Sequence, residues 1–478
     1  MAPSAPLRID NVQGDILEGL GKKHETFFFF RIKAGKESAF RDDLRSFIPL
    51  VTSTTEAKEF HHKIREHKKE AAKHGRPHPT IDNSAVNIAF SQKGLTALKI
   101  TEDIGDDGFK NGMLADASAL GDDLDDWDDN FKKEIHGVIA VTANSDSVLE
   151  GTIRHINKIF RFGEKDATIA QVAFLQGQTR PGSESGHEHF GFNDGLSQPA
   201  VKDVDAGVIS EPGEKPVRQG VILLGREGDD VKRPSWALDG SFLVFRYLKQ
   251  LVPEFDAFLE VNALKFQRGP GDPTGAELLG ARLMGRWKSG APVDLTPLRD
   301  NPAFAKRQDF RFDPKSQERC PFAAHVRKTN PRSDLDAFGG TEIRRIIRRG
   351  IAFGPEVTNE EKKAKRSSAA SKRERGLLFV CYQSNLGQGF QFMQKSWANE
   401  KTFPPKTDAV PPVSVPGIDP IIGVGIPREM VGASPDPSAA NQTMDFTAKW
   451  VIPRGGEYFF SPSIPALRRT FAAELREL

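Results

Sequence analysis

The chain has 478 residues, 38% of them hydrophobic and 28% charged, which is enough apolar material for a sizeable core and more than one core usually takes, so two domains or a fused pair are expected. Its 67 basic and 65 acidic residues leave a net charge of +2, which excludes the basic footprint of a nucleic-acid-binding protein and any strong steering of charged substrates. Two cysteines, Cys320 and Cys381, exclude a disulfide framework and a zinc site of CxxC spacing, and no apolar run reaches the length of a membrane span.

The start, MAPSAPLRIDNVQGDI, lacks the basic and then apolar regions of a signal peptide. The chain is therefore expected to be cytoplasmic if Met1 is its native start, and extracellular if a leader was removed ahead of it. Residues 26–48, TFFFFRIKAGKESAFRDDLRSFI, read as a strand, a polar turn and an amphipathic helix, and residues 136–160 repeat that order. Between them, 65–79 is charge-dense and reads as solvated helix or loop. Residues 200–235 are rich in Gly, Pro, Asp and Val, which places a boundary there, drawn at 215/216, between an N-terminal domain 1–215 and a C-terminal domain 216–478. Beyond it, 241–262 and 377–397 again read as strand, turn and helix, and the charged run 359–376 reads as a surface excursion. Two strand-then-helix units per half predict an α+β fold of two ferredoxin-like halves with mostly antiparallel sheets.

Three stretches carry chemistry. HFGFNDGLSQP (189–199) centres on Asp194, and two readings stand: Asn-Asp-Gly is ordinary turn chemistry, whereas a carboxylate crowded by phenylalanines is a candidate acid or base. His325, in RCPFAAHVRKTNPR, follows a small apolar run and precedes Arg327, Lys328 and Arg332. A core histidine with ordinary hydrogen bonds would fit, and so would an imidazole bound to haem iron, with the cations, Arg327 first, receiving the haem propionates. In EIRRIIRRGIAFGPE (342–356) arginines sit among isoleucines, where burial is costly without an anionic partner, and Asp194 is the candidate for that partner.

Together with NVQGDIL (11–17) and GLLFVCYQS (376–384), these segments occur in the order in which they stand in the dye-decolorising peroxidases, haem enzymes of the dimeric α+β barrel type, and the chain resembles the longer, fungal members of that family. The resemblance implies one haem b in the C-terminal half, with His325 as iron ligand and Asp194 and Arg348 on the opposite side. Arg348 rather than Arg349 fits the family's spacing to Gly350 and Gly354. The resemblance further implies that Leu377 and Phe379 line the pocket and that Asp419 holds the other nitrogen of His325. The implied reaction is oxidation of dyes, phenols and lignin-derived aromatics by hydrogen peroxide, with Asp194 as acid/base, in a monomer or homodimer with no nucleic-acid or membrane partner. Trp397 resembles an exposed tryptophan that relays electrons from bulky substrates in some members, although a tryptophan buried against the sheet reads equally well. Phe353 stands where the family often has tyrosine, which excludes a phenoxyl relay at that position. Two other readings remain: a haem-handling protein with incidental peroxidase activity, and a cofactor-free interaction protein.

Overall fold

The structure, a computed structural model, describes residues 6–74, 81–204, 216–266, 269, 271–404, 412–424, 427–439 and 441–473. The interval 205–215, which ends at the expected boundary, lies outside the described residues. Four strands of the N-terminal half, β1 (His24–Ile32), β2 (Ser84–Phe90), β3 (Gly137–Ala143) and β4 (Ile169–Gln178), form a sheet in the order β4-β1-β3-β2. The C-terminal half contributes β5 (Ser241–Gln250), the short β6 (Ile347–Arg348) and β7 (Ile351–Phe353), β8 (Gly376–Gln383) and, after the separate small pair β9 (Glu429–Val431) and β10 (Thr443–Asp445), the long β11 (Val451–Ser461). These continue the sheet as β11-β5-β8-β6, with β7 also on β8, and every strand pair is antiparallel.

The halves join twice. At one seam only Phe90 of β2 pairs with Phe460 of β11. The gap is stitched by Gln13 of the NVQGDIL segment, whose amide donates to Ile88 O and Pro462 O while its carbonyl accepts from Ile88 N. At the other seam β4 meets β7, where a β-carbon on Gly177 would lie 2.8 Å from Ala352 O. The result is a closed α+β barrel with an aromatic interior.

The unbroken run TFFFF in β1 follows from burial on both faces. Phe27 and Phe29 point into the barrel, where Phe29 meets Phe245 at 4.8 Å between ring centroids. Phe28 and Phe30 point outward, Phe28 against Phe162 and Phe30 against Phe40 of the helix Glu37–Phe47. That helix and Asp146–Ile159 are the two predicted helices of the N-terminal half. In the C-terminal half Val252–Val261 follows β5 as predicted, and the helix expected after β8 is Phe390–Phe392 running without a break into the wider-wound Met393–Ala398. The run 359–376 is mostly exposed, except that Arg375 is buried on Glu361 at 2.8 Å. Among the described residues no helix is long and apolar enough to cross a membrane.

Candidate active site

A deep, mostly apolar cavity opens on the outward face of the C-terminal half-sheet. Side chains two apart on a strand share a face. Arg246, Leu248 and Gln250 of β5 and Leu377 and Phe379 of β8 form its floor, in the register Arg246 opposite Phe379 and Leu248 opposite Leu377. His325 and the Asp194–Arg348 pair stand on its lining.

His325 is the first residue of the short helix His325–Thr329, behind Pro321-Phe322-Ala323-Ala324, all buried. Its Nδ1 is 2.8 Å from Asp419 Oδ2. Asp419 is fully buried, and its other oxygen accepts from Ile421 N at 2.8 Å and Ile422 N at 3.1 Å, so its position is fixed by backbone. Burial alone would favour the neutral imidazole, but the Asp419 carboxylate outweighs it and raises the pKa of His325 above the ordinary value. With Nδ1 committed to Asp419, Nε2 is the nitrogen left for a ligand in the cavity.

Asp194 sits where a tight loop turns back on itself. The Glu188 carboxylate, buried, accepts from Phe190 N, Phe192 N and Gln250 Nε2, which closes the turn, and Asp194 N donates to Gly186 O at 3.0 Å. Gly191 at φ +89° and Gly195 at φ +76° supply backbone conformations that a side chain would strain. Asp194 Oδ1 accepts from Gly195 N at 2.6 Å and from Arg348 Nη1 at 2.5 Å, leaving Oδ2 with no hydrogen bond among the described residues. About a third of each side chain is accessible, 33% for Asp194 and 28% for Arg348. Burial pushes the pKa of Asp194 up, but the Arg348 charge, the Gly195 N–H and the more distant His325 outweigh it and hold the carboxyl below its usual range. Arg348 owes its place to β6 and to Gln198: its N–H donates to Gln198 Oε1 at 2.9 Å and its carbonyl accepts from Gln198 Nε2 at 3.0 Å. The sequence does not single out Gln198, because the two bonds that matter for Arg348 reach backbone 150 residues away.

Three expectations from the sequence need correction. Arg327 does not face the cavity: it is buried in a bidentate pair with Asp334 and donates to the carbonyls of Asp313, Ser316 and Cys320. Two residues along a helix is about 200° around it, so Arg327 must leave on the face opposite His325. Lys328 donates to Glu400 O and Phe403 O, and Arg332 lies over the Phe310 ring and donates to Gln308 O, so neither waits for a propionate. The arginines on the cavity are Arg246, Arg286, Arg344, Arg345 and Arg348. Of these, Arg286 is buried with only the neutral acceptors Gly290 O and Gln308 Oε1 among the described residues, and burial, with Arg348 nearby, lowers its pKa to about 10. Trp397, finally, is 3% exposed, stacked on Phe403 at 5.2 Å and edge-on to Phe392. Of its two readings the structure places Trp397 in the buried one.

These residues fit a haem. The cavity combines apolar walls, one histidine oriented by a buried carboxylate, and a buried guanidinium without an anionic partner among the described residues. Among the described residues no cluster of three or more His, Cys, Asp or Glu could hold a bare metal ion.

A family model described as the DyP dimeric alpha+beta barrel domain matches residues 11–181, and one described as Dyp-type peroxidase, C-terminal, matches residues 188–410. The dye-decolorizing peroxidase msp1 of Mycetinis scorodonius is 41% identical over 97% of this chain and 88% of its own. The dye-decolorizing peroxidase of Mycena epipterygia is 42% identical over 98% of this chain and 88% of its own. Among solved structures, an ancestral D-type dye decolorizing peroxidase has a TM-score of 0.89 at 52% identity, covering 98% of this chain and 100% of that one. A dye-decolorizing peroxidase in complex with 2,6-dimethoxyphenol has a TM-score of 0.84 at 42% identity, with the same coverage.

Proposed function

The chain belongs to the dye-decolorising peroxidases, haem enzymes that act on hydrogen peroxide, and from that premise we propose that its cavity holds one haem b on His325, with Asp194 as the acid/base and Arg348 as its electrostatic partner. The observation that carries the reading is the arrangement of two separate devices on one cavity: an imidazole fixed by Asp419, and a carboxylate fixed by Arg348. A haem-handling protein would need the first and not the second.

Bound there, haem supplies the iron at which peroxide is reduced and from which aromatic substrates are oxidised one electron at a time. His325 would ligate it through Nε2 while Asp419 keeps the Nδ1 proton. Arg286, with Arg344 and Arg345, is the set of cations that the propionates would meet. Leu377 and Phe379 keep water from the pocket floor.

Asp194 moves the proton. Its Oδ2, the oxygen left without a hydrogen bond, takes a proton from hydrogen peroxide and returns it to the outer oxygen, so that this oxygen departs as water. Oδ1 stays on Arg348 and the Gly195 N–H throughout, so the carboxylate need not rotate. Arg348 stabilises the negative charge that develops as the O–O bond breaks. Dyes, and phenols of the kind that the solved relative holds, are the reductants.

Haemin titration of the cofactor-free chain tests the ligand. The wild type should develop a ferric Soret band at one haem per chain, and His325→Ala should not. Stoichiometric, unchanged haem binding by His325→Ala would overturn the assignment.

A further inference from the structure

The chain has 34 phenylalanines and three tyrosines, and each of the three phenols donates to a carboxylate. Tyr247 donates to Glu374 at 2.5 Å, Tyr382 to Asp15 at 3.1 Å and Tyr458 to Asp116 at 2.7 Å. Strand register separates them. Tyr458 lies opposite Val244, and Val244 opposite Cys381, so Tyr458 shares the sheet face of Arg246, Leu248, Leu377 and Phe379, the floor of the cavity. Tyr247 and Tyr382 are one residue out of phase and belong to the barrel interior. The Tyr458 ring is 6.3 Å from Phe390, which lines the cavity and is itself 6.2 Å from Phe379. Tyr458 is fully buried, but its acceptor leads outward: Asp116, on the helix Met113–Leu120, is 14% exposed and is also held by Gln391 Nε2 and Lys395.

A phenol one ring behind a cavity in which oxidising equivalents are generated, with a carboxylate at proton-transfer distance, has the two partners that phenol oxidation needs. Burial and Asp116 also push its pKa well above 10, so the proton lies in the bond to Asp116 at any working pH.

We propose that Tyr458 is a redox-active residue that holds one oxidising equivalent of the peroxide-treated enzyme behind the cavity wall, with Asp116 as the base for its proton. This rests on the peroxidase reading above, because peroxide supplies the equivalents. Tyr458 loses one electron to the oxidised centre, its O–H bond breaks and the proton passes to Asp116 Oδ2, which leaves a neutral phenoxyl radical. One electron from an aromatic reductant and the proton returned by Asp116 restore the phenol. Phe353 cannot form a phenoxyl, and Tyr458 is the one tyrosine on the cavity side of the sheet.

The test is electron paramagnetic resonance of the haem-loaded chain, frozen after one equivalent of hydrogen peroxide, with the Soret band recorded on the same samples and a spin-trap adduct located by mass spectrometry in the wild type. A tyrosyl signal is expected in the wild type, with the adduct on Tyr458. It should be absent in Tyr458→Phe and retained in Tyr247→Phe and Tyr382→Phe. Asp116→Asn still accepts the phenol's hydrogen bond but cannot take its proton, and should slow radical formation about 10²-fold. A tyrosyl signal of wild-type intensity in Tyr458→Phe, or a Soret band lost to peroxide with no tyrosyl signal in the wild type, overturns the proposal. A Soret band that peroxide leaves unchanged overturns the peroxidase reading and this proposal with it.

Discussion

The two half-sheets share a plan and differ in what covers their outward faces. In the N-terminal half Phe28 and Phe30 of β1 meet the rings of Phe162 and Phe40, and two full helices close the layer. In the C-terminal half the corresponding layer presents Arg246, Leu248 and Gln250 of β5 and Leu377 and Phe379 of β8 to a cavity, and the helical stretch after β8 adds Phe390, Met393 and Gln394 to its lining. The inward faces are alike: Phe29 and Phe245 meet in one aromatic core. One half of a repeated fold thus packs its outward face with rings, and the other leaves room there for a site.

That contrast sets the expected effects of substitution, the largest first. Phe29→Ala removes a ring from the shared interior and should cost about 3–5 kcal/mol, read by urea unfolding of the cofactor-free chain. Leu248→Ala, on the cavity floor, should cost less than about 2 kcal/mol in the same measurement, since its side chain already borders open space; equal costs would mean that the cavity is packed like the core. Asp419→Asn should weaken haem affinity about 10- to 100-fold, measured by haemin titration, because the backbone N–H groups still hold the side chain while the charge that fixes His325 is gone. Gln198→Leu should lower the rate of reaction with peroxide about tenfold and leave haem affinity intact, since it frees Arg348 without touching His325; a loss of haem affinity instead would show that β6 shapes the whole pocket.

The pH dependence is the smallest effect and the most specific. Arg348 holds the carboxyl of Asp194 below its ordinary value of 3.8, so the base form persists on acidification. The rate of reaction with peroxide should therefore stay flat from pH 7 to about 4 and fall only as the pH drops through the lowered pKa. A histidine in the same role would already be protonated near pH 6.5. A rate that halves by pH 6 in a folded, haem-loaded chain would contradict the assignment.

Much of this was legible in the sequence. The two strand-then-helix units of each half follow from local periodicity, whereas β2, β4 and β11, which complete the sheet, are not among the strands predicted; the apolar frame of His325 and the turn chemistry around Asp194 follow from short-range residue type. What was not legible depends on contacts across the barrel. Arg327, Lys328 and Arg332 form a cationic run beside His325, yet the helix turns the first two onto Asp334 and backbone carbonyls, and Arg332, beyond its end, lies on the Phe310 ring. Arg286, which does face the cavity, lies in MGRWKSG, a stretch with no motif to mark it. The side on which Trp397 packs is settled by Phe392 and Phe403, and the role of Gln198 by a strand 150 residues away. Asp419 was reached only through family resemblance, because the fully buried aspartate of GIDPIIG looks like a turn residue until its three hydrogen bonds are seen.

The central claim is that a histidine and an aspartate on one cavity divide the work, one holding the cofactor and the other moving the proton. Stopped-flow absorption of haem-loaded Asp194→Asn mixed with hydrogen peroxide tests it most directly. The ferric Soret band should match the wild type before mixing, and its conversion should slow about 10²- to 10⁴-fold. Conversion at the wild-type rate would contradict the account and move the proton transfer to another residue.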